Sequence, residues 1–259
     1  MRDRLLHHAV YRILYPIFDQ SFIFDSYSCR VGKGTHAAVD RLEIFSRKVS
    51  KNYTGPCWAL KFDIKKFFDS VDHEILLSVL SKKVQCKQTL DLLSGIVESF
   101  SATPFHRGGS ATETQNPTGV PIGNLTSQLF ANVYLDAFDH FIKDELRVKY
   151  YLRYTDDAII LSKDPAELRW LVPFIEQWLW HERRLMLHSR KTIICKLSQG
   201  IDFLGYVTLS HHRVLRTKTK RRMLTRVNAK NLSSYRGLLK QCQGHNLDQA
   251  ILSHYSPSS

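Results

Sequence analysis

The sequence predicts an α+β fold in which an antiparallel sheet is backed by helices. Apolar residues alternate at a period of two over 58–62, just before Asp63, which indicates one strand. Tyrosine, leucine and isoleucine on both sides of Asp156 and Asp157 indicate two short strands joined by a turn. Apolar residues at helical spacing over 5–18, 87–101, 125–142 and 166–187 predict the helices. The 259-residue chain, 43% hydrophobic and 24% charged, can bury a substantial core.

The chain carries a large positive charge. Its 37 Lys and Arg against 24 Asp and Glu leave a net charge of +13, which favours a polyanionic partner. Nucleic acid is the first candidate, and an anionic membrane surface is the alternative. The sequence contains no apolar run of about 18 residues and no signal-peptide core, so we expect no membrane partner. Five scattered cysteines without a Cys-x-x-Cys pair indicate reduced thiols, a cytoplasmic location and no structural zinc.

The first two helices flank a basic, glycine-containing loop. The helix over 5–18 is expected to break at Pro16, because proline removes a backbone donor. The loop over 26–36 carries Arg30 and Lys33 just before a second helical pattern, and such a loop can present cations and backbone N–H groups to phosphates. A plain turn with solvated charges explains the same residues equally well.

The first chemically informative segment ends in Asp63. Trp58, Leu60 and Phe62 alternate on one strand face, which leaves Asp63 on the other face at the C-terminal end of the strand. Further along, Ser70 or Asp72 is placed to cap a helix. Asp63 is thus a carboxylate at a strand end, near a helix start.

The second informative segment is a glycine loop that opens a helix. After a Gly-, Thr- and Pro-rich connection over 102–118, Gly119 and Gly123 form a loop whose backbone can approach a ligand closely, and Asn124 or Thr126 can cap the next helix. Loop-to-helix junctions often need glycine, so the loop alone is weak evidence. Its position between two carboxylate segments favours nucleotide binding.

The third informative segment is the hairpin with Asp156 and Asp157 at its turn. Adjacent carboxylates repel each other, and a hard divalent cation with oxygen ligands, Mg²⁺ or Mn²⁺, would neutralise them. The alternative is an exposed hairpin tip, where aspartate is common for turn geometry alone. If the strand that ends in Asp63 pairs beside the hairpin, the three carboxylates can hold two ions about 3.5–4 Å apart for phosphoryl or nucleotidyl transfer.

The C-terminal third adds a strand, a hairpin and a basic helix. The helix over 166–187 is expected to break or start at Pro173, and Lys191 precedes a strand over 192–195. Residues 213–230 contain eight Lys or Arg and no acid. In a helix, four of them form an i,i+4 ridge suited to a phosphate backbone, although a solvated face is the alternative. These four are Lys218, Arg222, Arg226 and Lys230.

Four segments together resemble successive palm motifs of reverse transcriptases, in matching order and spacing. They cover 62–69, 119–128, 154–157 and 203–206. Ile122 and the Ser127-Gln128 pair resemble the reverse transcriptases of diversity-generating retroelements. Group II intron and retron types share the chemistry, but are expected to have glutamine and proline at these places.

The resemblance implies a right-hand polymerase fold with an antiparallel palm sheet. It implies partial fingers over 1–56, a palm over 57–205 with a fingers insertion at about 85–118, and a helical thumb with a C-terminal tail over 206–259. Relatives also carry a basic fingers hairpin upstream, and this chain is expected to begin at or after its end. A natural short form, a misplaced start or an impaired polymerase are therefore open alternatives.

The implied reaction is DNA synthesis on RNA, with Asp63, Asp156 and Asp157 holding two Mg²⁺ ions. The implied partners are an RNA template, a DNA primer, dNTPs and a small basic accessory protein. Ile122 in place of glutamine predicts error-prone copying. A ribonucleotide polymerase and a catalytically silent nucleic-acid-binding remnant are the other readings. The implied nucleotide-binding residues are Ile64, Phe67, Phe68, Ile122, Gly123 and Lys191, where Phe68 would exclude a 2′-hydroxyl or else be a core aromatic, and Lys191 would stabilise pyrophosphate.

Overall fold

The computed structural model of the chain describes residues 2–100, 117–121 and 123–255. Ten α-helices and seven strands are described, together with a π-helical turn at Phe141–Glu145 and a 3₁₀ turn at Leu197–Gln199. In chain order they are α1 (Arg2–Asp19), α2 (Thr35–Val49), β1 (Trp58–Asp63), α3 (Phe67–Ser70), α4 (His73–Ser81), α5 (Lys87–Glu98), α6 (Leu125–His140), β2 (Tyr151–Tyr154), β3 (Asp157–Ser162), α7 (Pro165–Arg183), β4 (Ile193–Lys196), β5 (Ile201–Phe203), β6 (Tyr206–Thr208), β7 (Arg213–Leu215), α8 (Thr217–Arg226), α9 (Leu232–Leu239) and α10 (His245–Tyr255).

The main sheet has four antiparallel strands in the order β2-β3-β1-β4. β2 and β3 form the predicted hairpin, and Tyr154 pairs with Asp157 at its turn. β1 lies beside β3 in a register that places Asp63 opposite Asp157. The predicted pairing of the Asp63 strand beside the hairpin is therefore present.

Each face of the main sheet contacts a separate hydrophobic cluster. Leu60, Phe62 and Ile160 face a cluster that includes residues of α1, α4, α5, α6 and α7. Ala59 and Ile159 face the other cluster, which includes residues of α2, the small sheet and the C-terminal helices. Because side chains alternate along a strand, Asp63 lies on the Ala59 side of β1, as its spacing predicts.

A small sheet of β5, β6 and β7 connects the main sheet to α8. Leu204 and Gly205 turn β5 into β6 with φ angles of 50° and 90°, a two-residue hairpin turn that glycine favours. The Arg216 N–H donates to the Gly205 carbonyl at 2.9 Å, and the Arg216 side chain pairs with Asp202. The start of α8 is thus attached to this turn.

Two prolines lie inside helices that were expected to break. α1 continues through Pro16, and α7 continues through Pro173. The carbonyls that lose their helical partners belong to Arg12 and Arg169, which are exposed, so these carbonyls can face water. The predicted breaks at these two prolines are wrong for that reason.

Some expectations fall outside the described residues. They concern Ile122 and most of the connection over 102–118.

No described helix has the length and apolar character needed to cross a membrane. All five cysteines lie in the described part of the chain, and none of them forms a disulfide there.

Candidate active site

Three carboxylates from distant parts of the chain meet at one end of the main sheet. Asp63 ends β1, Asp157 begins β3 directly opposite it, and Asp156 occupies the turn before β3. The Ile64 N–H donates to the Asp156 carbonyl at 3.3 Å, which ties the residue after Asp63 to this turn. The acidic residues that the sequence singled out are therefore neighbours in space.

Burial and charge repulsion make two of these carboxylates, Asp156 and Asp157, harder to ionise. Desolvation raises the pKa of Asp156 to about 6, and the charges of Asp63 and Asp157 act in the same direction. Desolvation also raises the pKa of Asp157, against the opposing effect of Lys61. A positive charge placed among the three carboxylates would stabilise their ionised form.

Two lysines supply part of that positive charge. The Lys191 ammonium lies 2.9 Å from Oδ2 of Asp63, and this contact raises the pKa of Lys191. The Lys61 ammonium lies 3.6 Å from Oδ1 of Asp157, beyond hydrogen-bond distance, and donates to the Asp202 carbonyl at 2.8 Å. The sequence reasoning found Lys191 but missed Lys61, which lies two residues before Asp63 and thus on the same strand face.

The donor set fits a divalent cation, although its side chains are not arranged as a closed site. Among the described residues, no group of three or more His, Cys, Asp or Glu side chains is arranged to hold a metal ion. The three carboxylates nevertheless offer only oxygen ligands, which Mg²⁺ prefers. Oδ1 of Asp157 is also buried without a hydrogen-bond partner. That buried acceptor and the repulsion that the two lysines leave suit a bound cation.

The glycine loop lies against the segment that follows Asp63. The Val120 N–H donates to the Phe68 carbonyl, and the Gly119 N–H donates to the Val71 carbonyl, both at 2.8 Å. Nε2 of the buried His73 contacts the Gly119 carbonyl at 2.6 Å. The fold thus joins two segments that the sequence linked to the nucleotide.

The sequence that forms this site matches the model of one known protein family. The model of the family described as "Reverse transcriptase (RNA-dependent DNA polymerase)" matches residues 1–208, which include all three carboxylates, the glycine loop and the hairpin. The chain belongs to the reverse transcriptase family.

Curated relatives of this reverse transcriptase chain include a group II intron-encoded protein. The group II intron-encoded protein LtrA of Lactococcus lactis subsp. cremoris is 23% identical over 267 residues, covering 79% of this chain and 42% of LtrA. The protein YkfC of Escherichia coli strain K12 is 22% identical over 253 residues, covering 85% of this chain and 62% of YkfC. The chain therefore spans less than two thirds of the length of these relatives.

Solved structures with the same fold include telomerases. Apo telomerase from Candida tropicalis superposes with a TM-score of 0.60 at 17% identity, over 91% of this chain and 44% of that chain. Telomerase from Candida albicans in complex with a TWJ fragment of telomeric RNA gives a TM-score of 0.57 at 12% identity, over 96% of this chain and 47% of that chain. The right-hand polymerase fold that the sequence predicted is confirmed.

The first two backbone N–H groups after Asp63 already have hydrogen-bond partners within the fold. The Ile64 N–H contacts the Asp156 carbonyl, and the Lys65 N–H donates to the Met186 carbonyl at 2.8 Å. The side chains of Ile64 and Phe67 are buried in the core. Ile64 therefore does not offer the triphosphate contact that the sequence suggested, because its amide already has a partner.

Phe68 and Gly123 are accessible to different degrees. Phe68 is half-buried and packs edge-on against Phe67, with ring centroids 5.3 Å apart. Gly123 is exposed with a φ of 100°, a conformation that favours glycine. Asn124 stands at the N-cap position of α6 without a side-chain hydrogen bond to the helix. Thr126, the other expected cap, contacts Nδ1 of His7 at 2.6 Å.

The expected phosphate-binding residues of the first loop are engaged internally. The Arg30 side chain is 8% exposed, pairs with Asp19 at 2.6 Å and donates to the Ile23 and Ser26 carbonyls. Arg30 is therefore not placed to contact nucleic acid. The Lys33 ammonium donates to the Phe24 carbonyl at 2.8 Å and lies 3.3 Å from the centre of the Phe24 ring. Partial burial lowers the pKa of Lys33.

The basic residues near the C-terminus lie on an exposed surface. α8 presents Lys218, Arg222 and Arg226 to solvent while Met223 packs into the core. The helix ends at Arg226, so Lys230 follows it in a turn. The predicted four-residue helical ridge is thus wrong at Lys230, because the chain leaves helical geometry at Val227.

Several polar side chains of α6 are buried or half-buried. Asn132 is buried and donates to the Ser28 carbonyl at 2.8 Å, and Asp136 is half-buried. Asp139, which the sequence reasoning left aside, is fully buried against Arg153. An arginine inside an apolar strand was the available signal, since a buried charge requires a partner.

Proposed function

We propose that this chain catalyses DNA synthesis on an RNA template. The observation that carries the proposal is the register of β1 against β3, which places Asp63 opposite Asp157 with Asp156 at the adjoining turn. Nucleotidyl transfer by two metal ions needs carboxylates from separate segments in one place. This arrangement meets that need at the end of a sheet in a strongly basic chain.

Asp63, Asp156 and Asp157 would hold two Mg²⁺ or Mn²⁺ ions. Bound ions would supply charge stabilisation for the in-line attack of the primer 3′-hydroxyl on the incoming triphosphate. Lys61 and Lys191 neutralise Asp157 and Asp63 and limit the repulsion among the acids. Lys191, about half exposed, is also placed to donate a proton toward the leaving pyrophosphate.

Selection of the sugar would depend on Phe68. Its ring is half-buried against Phe67, so its bulk is held in place beside the glycine loop. A fixed aromatic ring next to the deoxyribose would exclude a 2′-hydroxyl. Phe68→Ala should therefore admit ribonucleotides in primer extension, and unchanged discrimination between dNTP and rNTP would remove Phe68 from this role.

The RNA template and DNA primer would lie along the basic surface formed by Lys218, Arg222, Arg226 and Lys230, with Gly123 and Phe67 near the nucleotide. Lys33 would add to this surface once its contact with Phe24 opens. We also propose that residues 1–56 form part of the fingers, residues 57–205 the palm and residues 206–259 the thumb and C-terminal tail. A small basic accessory protein and a cytoplasmic location are predictions from the resemblance.

The decisive experiment is magnesium-dependent primer extension on poly(rA) annealed to oligo(dT). The wild-type chain should extend the primer, and Asp156→Asn should abolish extension while it retains nucleic-acid binding. Asp91→Asn, the same change at an exposed position of α5, is the matched control and should extend normally. Wild-type binding without extension would instead identify a catalytically silent nucleic-acid-binding protein.

The type of retroelement is a finer proposal. A group II intron-encoded protein and a putative intron protein among the relatives support an intron-type enzyme, whereas Ile122 and Gln128 resemble the diversity-generating type. An apolar residue in place of an amide removes a hydrogen-bonding group beside the forming base pair, so we propose error-prone copying. Sequencing of cDNA from wild type and Ile122→Gln tests this: fewer errors in the variant support the diversity-generating type, and equal error spectra contradict it.

A further inference from the structure

The residue just before the acidic pair has an unusual backbone conformation. Thr155 has a φ of 54°, in the left-handed region that β-branched residues rarely adopt. It also forms the hairpin turn from which Asp156 and Asp157 project. A turn of this kind persists only where surrounding contacts hold it.

The Arg153 guanidinium supplies the first of these contacts from inside the sheet. Its Nη1 donates to the Thr155 carbonyl at 2.9 Å. Its Nε and Nη2 form a two-point contact with the Asp139 carboxylate at 2.7 and 2.6 Å. Weaker contacts to Asn132 and Ser26, at 3.4 and 3.3 Å, account for its remaining donors. Arg153 is therefore fixed in one orientation by its surroundings.

The Thr155 hydroxyl supplies the second contact, to a different part of the chain. It donates to Oγ of Ser28 at 2.7 Å, and both residues are buried. Oγ of Ser28 in turn donates to Oε1 of Gln128 at 3.3 Å, at the start of α6. The acidic turn is thus connected to the loop before α2 and to the helix that follows the glycine loop.

Stability alone does not explain this arrangement. Buried ion pairs such as Arg153 with Asp139 contribute little net stability compared with apolar residues of the same volume, but they define one geometry. The same guanidinium contacts the carbonyl of a strained residue next to the carboxylates. This combination is suited to orienting the turn.

We propose that Arg153 and Thr155 are positioning residues, with Ser28 as their anchor, and that they hold the acidic turn so that Asp156 and Asp157 can share bound cations with Asp63. The inference rests on the proposed function of these carboxylates. Neither Arg153 nor Thr155 contacts the reacting groups in this account. Each acts through the conformation of the turn.

A double-mutant cycle on the hydroxyl pair tests the inference. Thr155→Val removes the hydroxyl but keeps the β-branched shape, and Ser28→Ala removes its partner. Mn²⁺ binding is measured by electron paramagnetic resonance on the full chain, next to thermal unfolding without metal. Ser162→Ala is the matched control, because this hydroxyl of the same hairpin bonds Glu167 at the far end of β3.

Both single variants should weaken Mn²⁺ binding by about five- to tenfold, the effect of one lost hydrogen bond, and the double variant should weaken it no further. Thr155→Ser should restore wild-type affinity, and Ser162→Ala should leave affinity unchanged. Arg153→Lys, which keeps a cation opposite Asp139 but cannot also reach Thr155, should weaken binding at least as much. The hydroxyl cycle decides the proposal whether or not this last variant folds.

Two results would overturn the inference: unchanged Mn²⁺ affinity in Thr155→Val, or fully additive losses in the double variant. Failure of the proposed function is recognised separately, as wild-type protein that binds Mn²⁺ but does not extend a primer. In that case a coupled loss of Mn²⁺ affinity would still support the positioning role.

Discussion

Replacing Lys191 with methionine should change metal binding and catalysis in opposite directions. The Lys191 ammonium lies 2.9 Å from Oδ2 of Asp63, and the two side chains are 54% and 15% exposed. An ion pair this exposed contributes about 0.2–1 kcal/mol. Because the ammonium competes with a cation for Asp63, its loss should lower the dissociation constant for Mg²⁺ by roughly 1.4- to 5-fold. Its loss as a proton donor should lower kcat by about a hundredfold or more.

The assay combines Mg²⁺ titration by calorimetry with single-turnover primer extension. Lys191→Arg keeps the charge and should leave Mg²⁺ affinity near that of the wild type. Arg190→Met, the same loss of charge at the neighbouring exposed residue, controls for the overall field. Weaker Mg²⁺ binding in Lys191→Met would refute the competition argument, and a kcat within about threefold of wild type would refute the proton donor role.

Three further predictions concern stability and nucleic-acid binding. Burial raises the pKa of Asp156 from 3.8 to about 6. The contribution of Asp156 to stability is therefore complete below its unfolded pKa and is lost as pH rises through about 6. The melting temperature of the metal-free protein should rise as pH falls from about 7 to about 5, and Asp156→Asn should lose the part of this rise that Asp156 causes. Asp72 caps α4 and pairs with Arg184, so Asp72→Ala should lower the free energy of unfolding by about 2–3 kcal/mol in urea, and Asp72→Asn by less; equal losses would contradict the cap. Lys218→Gln combined with Arg222→Gln should reduce the salt dependence of RNA binding by about two units of slope, and an unchanged slope would remove α8 from the binding surface.

The period-two patterns predicted the main sheet well. Alternation decides which strand face is buried, so the side of β1 that carries Asp63 and the hairpin around Asp156 and Asp157 followed from sequence. The exact register, with Asp63 opposite Asp157, depends on packing between distant segments. Local sequence patterns do not determine such pairings.

The less accurate expectations have different physical causes. Arg30 is basic and lies in a glycine-containing loop, but the fold surrounds it with Asp19 and two carbonyls. Pro16 and Pro173 stay within helices because the carbonyls that they leave without a helical donor, at the exposed Arg12 and Arg169, can face water. Lys230 fits the i,i+4 spacing, but α8 ends before it. For Arg30, tertiary contacts therefore override a correctly recognised local preference.

The outer edge of β2 affects how this chain meets other copies of itself. Exposed edge strands offer unpaired N–H and C=O groups that recruit further strands and lead to aggregation. Here the Arg153 N–H donates to the Asp25 carbonyl, and the Tyr27 N–H donates to the Arg153 carbonyl. Residues 25–27 therefore already pair with the outer edge of β2. Within the described residues, β4 forms the opposite edge, and its exposed Lys196 disfavours a second copy by charge. We therefore expect the protein to resist edge-to-edge self-association during storage at high concentration.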